Sequence, residues 1–213
     1  ILTIYQGLTP EQEMKMFVDV NSNQAAVDTN LINSLLAKLP NAKDNASQLL
    51  TQECSRVVDS LASTGFLSEY ITEVEKPSKG KDQINRAPLT DTIKTSGLYK
   101  QLSKDKKSLN DGVLYSARDP VKKFTQIINL YFEDIVAQAP DFWEAKSLYN
   151  NRESIRAFIL LLRDILLFVS SNPKIKIDKN KSSQKIYDEY IEPWFKPVKD
   201  YILNTKSTTQ YNF

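Results

Sequence analysis

Three amide side chains close to one another, Asn21, Asn23 and Gln24, follow the apolar run Phe17-Val18-Asp19-Val20 and precede a second apolar pattern. An amide both donates and accepts. The group therefore suits capping a helix end, or shaping a pocket that touches a base or a phosphate. Both readings fit the sequence. Arg152, Arg156 and Arg163 form a second group. At 100° per residue they lie within about 40° of one another on a helix. Guanidinium forks suit phosphate oxygens, and the same stripe also suits snorkelling at the edge of a core. Lysines form a third class, in three clusters: Lys76, Lys79 and Lys81; Lys100, Lys104, Lys106 and Lys107; and Lys174, Lys176, Lys179 and Lys181. Each alone reads as a solvated surface run. Converging on one face, they would bind DNA non-specifically by counterion release. Lys104, Lys106, Lys107, Lys174 and Lys176 join the three arginines as the phosphate-contact candidates. Tyr99 and Tyr115 flank the second cluster and suit either stacking or core packing.

Other chemistry is narrowed by composition. The chain has no histidine, which removes His triads and His metal sites. Its one cysteine, Cys54, excludes an internal disulfide and a multi-cysteine zinc site. Cys54 also falls in an apolar helical stripe, where a packed thiol is expected rather than a nucleophile. Acidic pairs such as Glu133-Asp134 and Asp188-Glu189 are sequence neighbours on helices and do not share a face. The 5 glycines never cluster into a phosphate loop. No self-contained active site, metal site or cofactor motif is legible. The formal net charge is only +2, so any nucleic-acid reading must rest on local clustering. A single cysteine fits a reducing cytoplasm. The apolar segment from Phe158 to Val169 carries Arg163 and Asp164 and is too short to span a bilayer, so no membrane role is expected.

The elements that must position these groups are mostly helices. Ile1 to Tyr5 reads as a strand. Thr9-Pro10-Glu11-Gln12 reads as a capping box with proline at the first helical position, opening a helix to about Asn21 with Met14, Phe17 and Val18 on one face. Asp28 caps a second helix, with Leu31, Ile32, Leu35, Leu36 and Leu39 recurring at helical spacing. A third runs from about Asn45 to Ser63 on Leu50, Cys54, Val57, Val58 and Leu61. Gly65 ends it. Residues 66–75 are β-rich in type, and 83–89 return as a partner strand. A short helix opens at Thr90 or Asp91. Leu98 to Leu102 reads as another helical piece, and 103–112 as a polar connection.

Asp119-Pro120 starts a long helix to about Gln138, with Phe124, Ile127, Ile128, Tyr131, Phe132 and Ile135 facing the core. Phe142-Trp143 anchors a turn. Asn150 or Asn151 caps the most apolar helix, 152–170, expected to be the hub. Pro173 to Asp178 alternates with period two, as a short strand or extended arm. The last helix, 183–204, carries Tyr187, Tyr190, Ile191, Trp194, Val198, Tyr201 and Ile202 on its stripe. Pro193 and Pro197 kink it, or split it with Pro193 starting the second half. Residues 205–213 read as a polar tail. The expected fold is mainly α: a compact multi-helix domain with a few short β-strands.

The order of these pieces resembles a known family. A strand leads to Gly7-Leu8-Thr9-Pro10-Glu11-Gln12-Glu13, then Met16-Phe17-Val18-Asp19-Val20-Asn21, then Gln24 and Val27. This is similar to the region just downstream of the signature motif in DGQHR-domain proteins, a prokaryotic group that includes DndB-like proteins of DNA phosphorothioation systems. There a strand and an acidic helix lead to Phe-Val-x-Ile-Asn-x-x-Gln; here Val20 stands where Ile is usual. Gly65-Phe66-Leu67 to Tyr70-Ile71 resembles the family's short Pro-Phe…Ile strand without the Pro. Residues 150–158 and Tyr190-Ile191-Glu192-Pro193-Trp194-Phe195 resemble its late helix start and final helix. The Asp-Gly-Gln-His-Arg motif itself is absent.

The resemblance implies the C-terminal, helical part of a larger α+β protein related to the ParB and sulfiredoxin type, with the signature on another half; a start at Ile1 rather than Met agrees. Residues 1–40 would end the signature-containing region, 41–204 would form the helical domain with short strands near 66–89, and 205–213 the tail. It implies a DNA-binding or regulatory module of a DNA-modification or defence system. The partners implied are DNA, the N-terminal half and a second copy of the chain. A helical scaffold without DNA affinity, or part of an enzyme whose active site lies on the other half, are the alternatives.

Overall fold

A computed structural model of the protein describes residues 7–21, 28–42, 45–72, 84–138, 140, 143 and 152–208, with side chains through residue 201. Among these residues the fold is mainly α: helices α1 (Pro10–Asn21), α2 (Thr29–Lys38), α3 (Ala46–Ser63), α4 (Arg86–Ser96), α5 (Pro120–Gln138), α6 (Arg152–Ser171), α7 (Ser183–Tyr190) and α8 (Glu192–Thr208). Two small ribbons join them. Strand β1 (Ile71–Thr72) pairs in parallel with β2 (Ile84–Asn85), and β3 (Lys100–Leu102) pairs antiparallel with β4 (Leu109–Asp111). No helix among the described residues is long and apolar enough to cross a membrane. The expected strand at residues 1–5 and the lysine cluster at Lys76, Lys79 and Lys81 lie outside the described residues.

Local chemistry sets several boundaries as anticipated. Thr9 N donates to Gln12 Oε1 at 2.9 Å and Gln12 N to Thr9 Oγ1 at 3.3 Å, the reciprocal capping box that opens α1. Asp28 caps α2 through Asn30 N, and Asn45 caps α3 through Gln48 N. The apolar stripes of α3 and α5 are all buried, Leu50, Cys54, Val57, Val58 and Leu61 on one and the six expected residues on the other. Together with α6 and Trp143 they form the main core. Trp143 packs against Phe66, Tyr70 and Phe132 with ring centroids 5.3–6.1 Å apart. Burial pushes the Cys54 thiol up to about 12, which fits a packed thiol. The hub is α3 rather than α6, since α3 packs against α2, α4, α5, β1 and β3.

A second, smaller apolar cluster lies apart. Val18 of α1 packs with Ile32, Leu36 and Leu39, flanked by Met14 and Leu35. Phe17 and Leu31, expected on these faces, are exposed instead (39% and 45%), along with Val20. Two short helices bury only one narrow seam between them, so residues at its edges stay in water. Main-chain groups of residues 37–42 are held to α3 by two of its side chains. Gln52 accepts from Ala42 N and donates to Pro40 O, while Arg56 donates to Ala37 O, Leu39 O and Asn41 Oδ1 and pairs with Glu53.

Several expectations are corrected or resolved between their alternatives. Residues 66–69 form a 3-10 turn, not the start of a strand. Asn129 of α5 causes this: its Oδ1 accepts from Leu67 N and its Nδ2 donates to Thr64 O, both at 3.2 Å. Gly65 makes room, at φ +87°, where a Cβ would sit 2.1 Å from Asn129 Nδ2. Helix α4 begins at Arg86, not Thr90, because Asn30 Oδ1 of α2 accepts from Ala87 N and closes the first turn from outside. Residues 100–102 are a strand rather than helical, since they find a partner in 109–111. The last helix is split, the second of the two expected alternatives: it breaks at Ile191, with Glu192-Pro193 opening α8. The break turns Phe195 and Lys199 inward and leaves Trp194 and Tyr201 exposed. α8 also runs to Thr208, through the first four residues of the expected polar tail.

Candidate nucleic-acid interface

The hairpin β3–β4 presents one of the basic clusters, and its tip is built by short polar side chains. Ser103 Oγ donates to Asp105 Oδ1 at 2.6 Å, Lys107 N donates to the same oxygen, and Ser108 N donates to Ser103 Oγ. Ser103 N and Lys106 N close the turn on Ser108 O and Ser103 O. Lys106 takes the left-handed conformation there, φ +58°. These bonds, led by that from Ser103, hold the Asp105 carboxyl below the usual carboxylate range. The acidic side chain is thus committed to the turn, and Lys104, Lys106 and Lys107 stand exposed with no carboxylate within 4.0 Å. Lys100 differs: its Nζ lies 4.3 Å from the Tyr115 ring centroid. Tyr99 is fully buried and packs edge-on against Tyr115 and Phe124, so it serves the core.

The segment after α6 is the second basic element. It is the extended arm of the two expected alternatives. Residues 174–178 alternate, with Ile175 and Ile177 half-buried against the core and Lys174, Lys176 and Asp178 in solvent. Neither Lys174 nor Lys176 has an ion-pair partner. Lys179 and Lys181 do not join them. Lys179 Nζ donates to Gly112 O at 2.9 Å, fastening this arm to the base of the hairpin, and Lys181 pairs with Glu189. Lys123 Nζ of α5 donates to Lys179 O and fixes the arm from below. Five unpaired lysines therefore project from two segments that are bonded to each other.

The arginine stripe does not act as one ridge. Arg163 lies beside the hairpin base, sharing a cleft of about 410 Å³ with Gly97, Gln101 and Val113, and its Nη2 pairs with Asp164 at 2.8 Å. Arg152 lies about 16 Å away along α6, pairs with Glu153 at 3.6 Å, and borders a different cleft with α2 and α4. Arg156 is exposed without an ion pair. Local acids, Glu153 and Asp164, pair with two of the three.

Among the amides, Asn21 Nδ2 donates to Phe17 O at 2.7 Å, closing the end of α1. This is the capping role. Asn23 and Gln24 lie outside the described residues. Among the described residues no three acidic or sulfur side chains gather to hold a metal. Sequence reasoning missed the Ser103–Asp105–Ser108 turn and the Lys179 tether. The serine and aspartate spacing signals a side-chain-built turn; a tether across 67 residues leaves no local sign. No family model, curated protein or solved structure matches the chain.

Proposed function

We propose that this chain is the DNA-binding or regulatory module of a cytoplasmic, prokaryotic DNA-modification or defence protein of the DGQHR-domain type. One observation carries the reading: five unpaired lysines, Lys104, Lys106, Lys107, Lys174 and Lys176, on a preformed hairpin and an arm bonded to its base. Such a surface neutralises phosphates without reading bases, so affinity would be salt-dependent and largely indifferent to sequence. Five phosphate contacts give a slope of about −4.5 for log affinity against log salt, or roughly 500-fold between 50 and 200 mM. Fluorescence anisotropy on a duplex of about 20 base pairs tests this. Replacing Lys104, Lys106 and Lys107 by glutamate should cut the slope to about −2 or less. Absence of binding at low salt would remove the reading.

A second reading draws on a separate observation. Phe17, Val20 and Leu31 expose apolar surface on the α1–α2 pair. The family resemblance would set this pair against the signature-bearing N-terminal half, where those side chains would be covered. Under this reading the chain is a scaffold, contacts that half or a second copy, and has no affinity for duplex.

A further inference from the structure

A cleft of about 570 Å³ opens between α2 and α4, away from the lysines just described. Its walls are unusually polar. Asn33 is only 8% exposed and lines the cleft. Thr90 is 2% exposed, and its Oγ1 is buried without a partner. Asn85 stands at the N-cap of α4 but does not cap it, and its Oδ1 is likewise buried and unpartnered. A buried polar group left unpaired is costly, so two around one cleft, Asn85 Oδ1 and Thr90 Oγ1, point to something that satisfies them. The first turns of α2 and α4 both border this space, but Asp28 and Asn30 already cap them, so the attraction for an anion rests on side chains. Two cations stand at it, Lys94 and Arg152. Asp91 also lines it and sits 3.5 Å from Lys94; Glu153 sits 3.6 Å from Arg152. The lining itself therefore carries two positive charges against one negative.

We infer that this cleft binds a nucleoside monophosphate, with its phosphate toward Arg152 and Lys94 and its base edge toward Asn33, Asn85 and Thr90. A phosphate alone would leave the amides and hydroxyl unused, and a neutral heterocycle would leave the cations unused. A nucleotide carries both an anionic group and an edge of alternating donors and acceptors, which amide side chains match. The volume falls within the range of small-ligand sites. The same chemistry is offered by a free nucleotide and by the 5′-phosphorylated end of a strand.

The test is an NMR and calorimetric titration of the whole chain with four probes: inorganic phosphate, AMP, CMP and a 5′-phosphorylated tetranucleotide. The expected result is saturable binding of a mononucleotide or the tetranucleotide, shifting the amide signals of Asn33, Asn85 and Thr90. Inorganic phosphate should bind at least tenfold more weakly. Whichever of mononucleotide and tetranucleotide binds more tightly identifies the source. Thr90→Val removes an unpartnered hydroxyl and Arg152→Ala an exposed side chain, so both variants should fold. Each should weaken binding at least fivefold, and Thr90→Val should do so without loss of thermal stability. The inference is overturned if no probe saturates at millimolar concentration, if phosphate binds as tightly as the nucleotides, or if both variants bind like the parent. Neither variant touches the five lysines, so failure here and failure of duplex binding are read separately.

Discussion

Replacing Arg56 by alanine should loosen α1 and α2 while leaving the main core intact. Arg56 is the guanidinium that reaches from α3 to the end of α2, bonding Ala37 O at 3.1 Å and Leu39 O at 2.8 Å. Bonds from a charged donor contribute about 1.5–3 kcal/mol each. With a quarter of the side chain exposed, the lower value applies, giving about 3 kcal/mol for the two main-chain bonds. The pair with Glu53 lies within α3 and contributes nothing to docking. The apolar seam of α1 and α2 is separate from the main core, so the loss should appear as local opening. Hydrogen exchange followed by mass spectrometry reads this directly. Amides of residues 31–38 should exchange roughly 150-fold faster, and those of 124–135 should be unchanged. Arg56→Lys, which cannot fork to both carbonyls, should give about a tenfold increase. If the two regions accelerate together, the α1–α2 pair is not a separate cooperative unit. If neither changes, the bonds do not hold it.

Three further outcomes follow from buried contacts. Gly65→Ala should destabilise the fold by about 2–4 kcal/mol in denaturant titration, because the new Cβ meets the Asn129 amide at positive φ. Asp134 is a second case. Burial pushes its pKa up, but hydrogen bonds from Lys199 and Tyr187 outweigh this and hold it below the usual carboxylate range. A depressed folded pKa gives stability that is complete above the unfolded value near 3.9 and is lost as pH falls through the folded value. Asp134→Asn should therefore flatten the acid limb of stability against pH below about 4. It should also cost about 3 kcal/mol at neutral pH, since Lys199 keeps only Glu192, at 3.6 Å. Finally, Cys54, fully buried with its thiol pushed up to about 12, should resist a thiol reagent at pH 8 and react at once in denaturant; rapid native labelling would contradict the packing.

What the sequence could disclose was whatever its neighbours decide. The stripes of α3 and α5, the Thr9–Gln12 box, the Asp28 and Asn45 caps and the break before Pro193 depend on residues within four positions of one another. The start of α4 and the 3-10 turn at Phe66 depend on Asn30 and Asn129, 57 and 62 residues away. The same division runs through the candidate interface. Charge clusters could be counted along the chain, but which cations stay free could not. Lys179 and Lys181 lose that role to Gly112 and Glu189, partners that lie 67 and 8 residues off. The polar cleft was invisible for the same reason, because Asn33, Asn85 and Thr90 meet only when α2 lies beside α4.

The cap that Asn30 places on Ala87 has a consequence for the order of folding events. A helix start supplied by its own neighbours can form in a microsecond or less, before anything else is in place. The first turn of α4 has no local side-chain cap, since Asn85 does not cap it. It must wait until α2 has arrived, so residues 86–89 close after the loop of more than fifty residues has been drawn together. An excised 84–98 peptide should accordingly show helix only over its second half, and that first turn should record, in a refolding time course, the moment at which α2 and α4 come together.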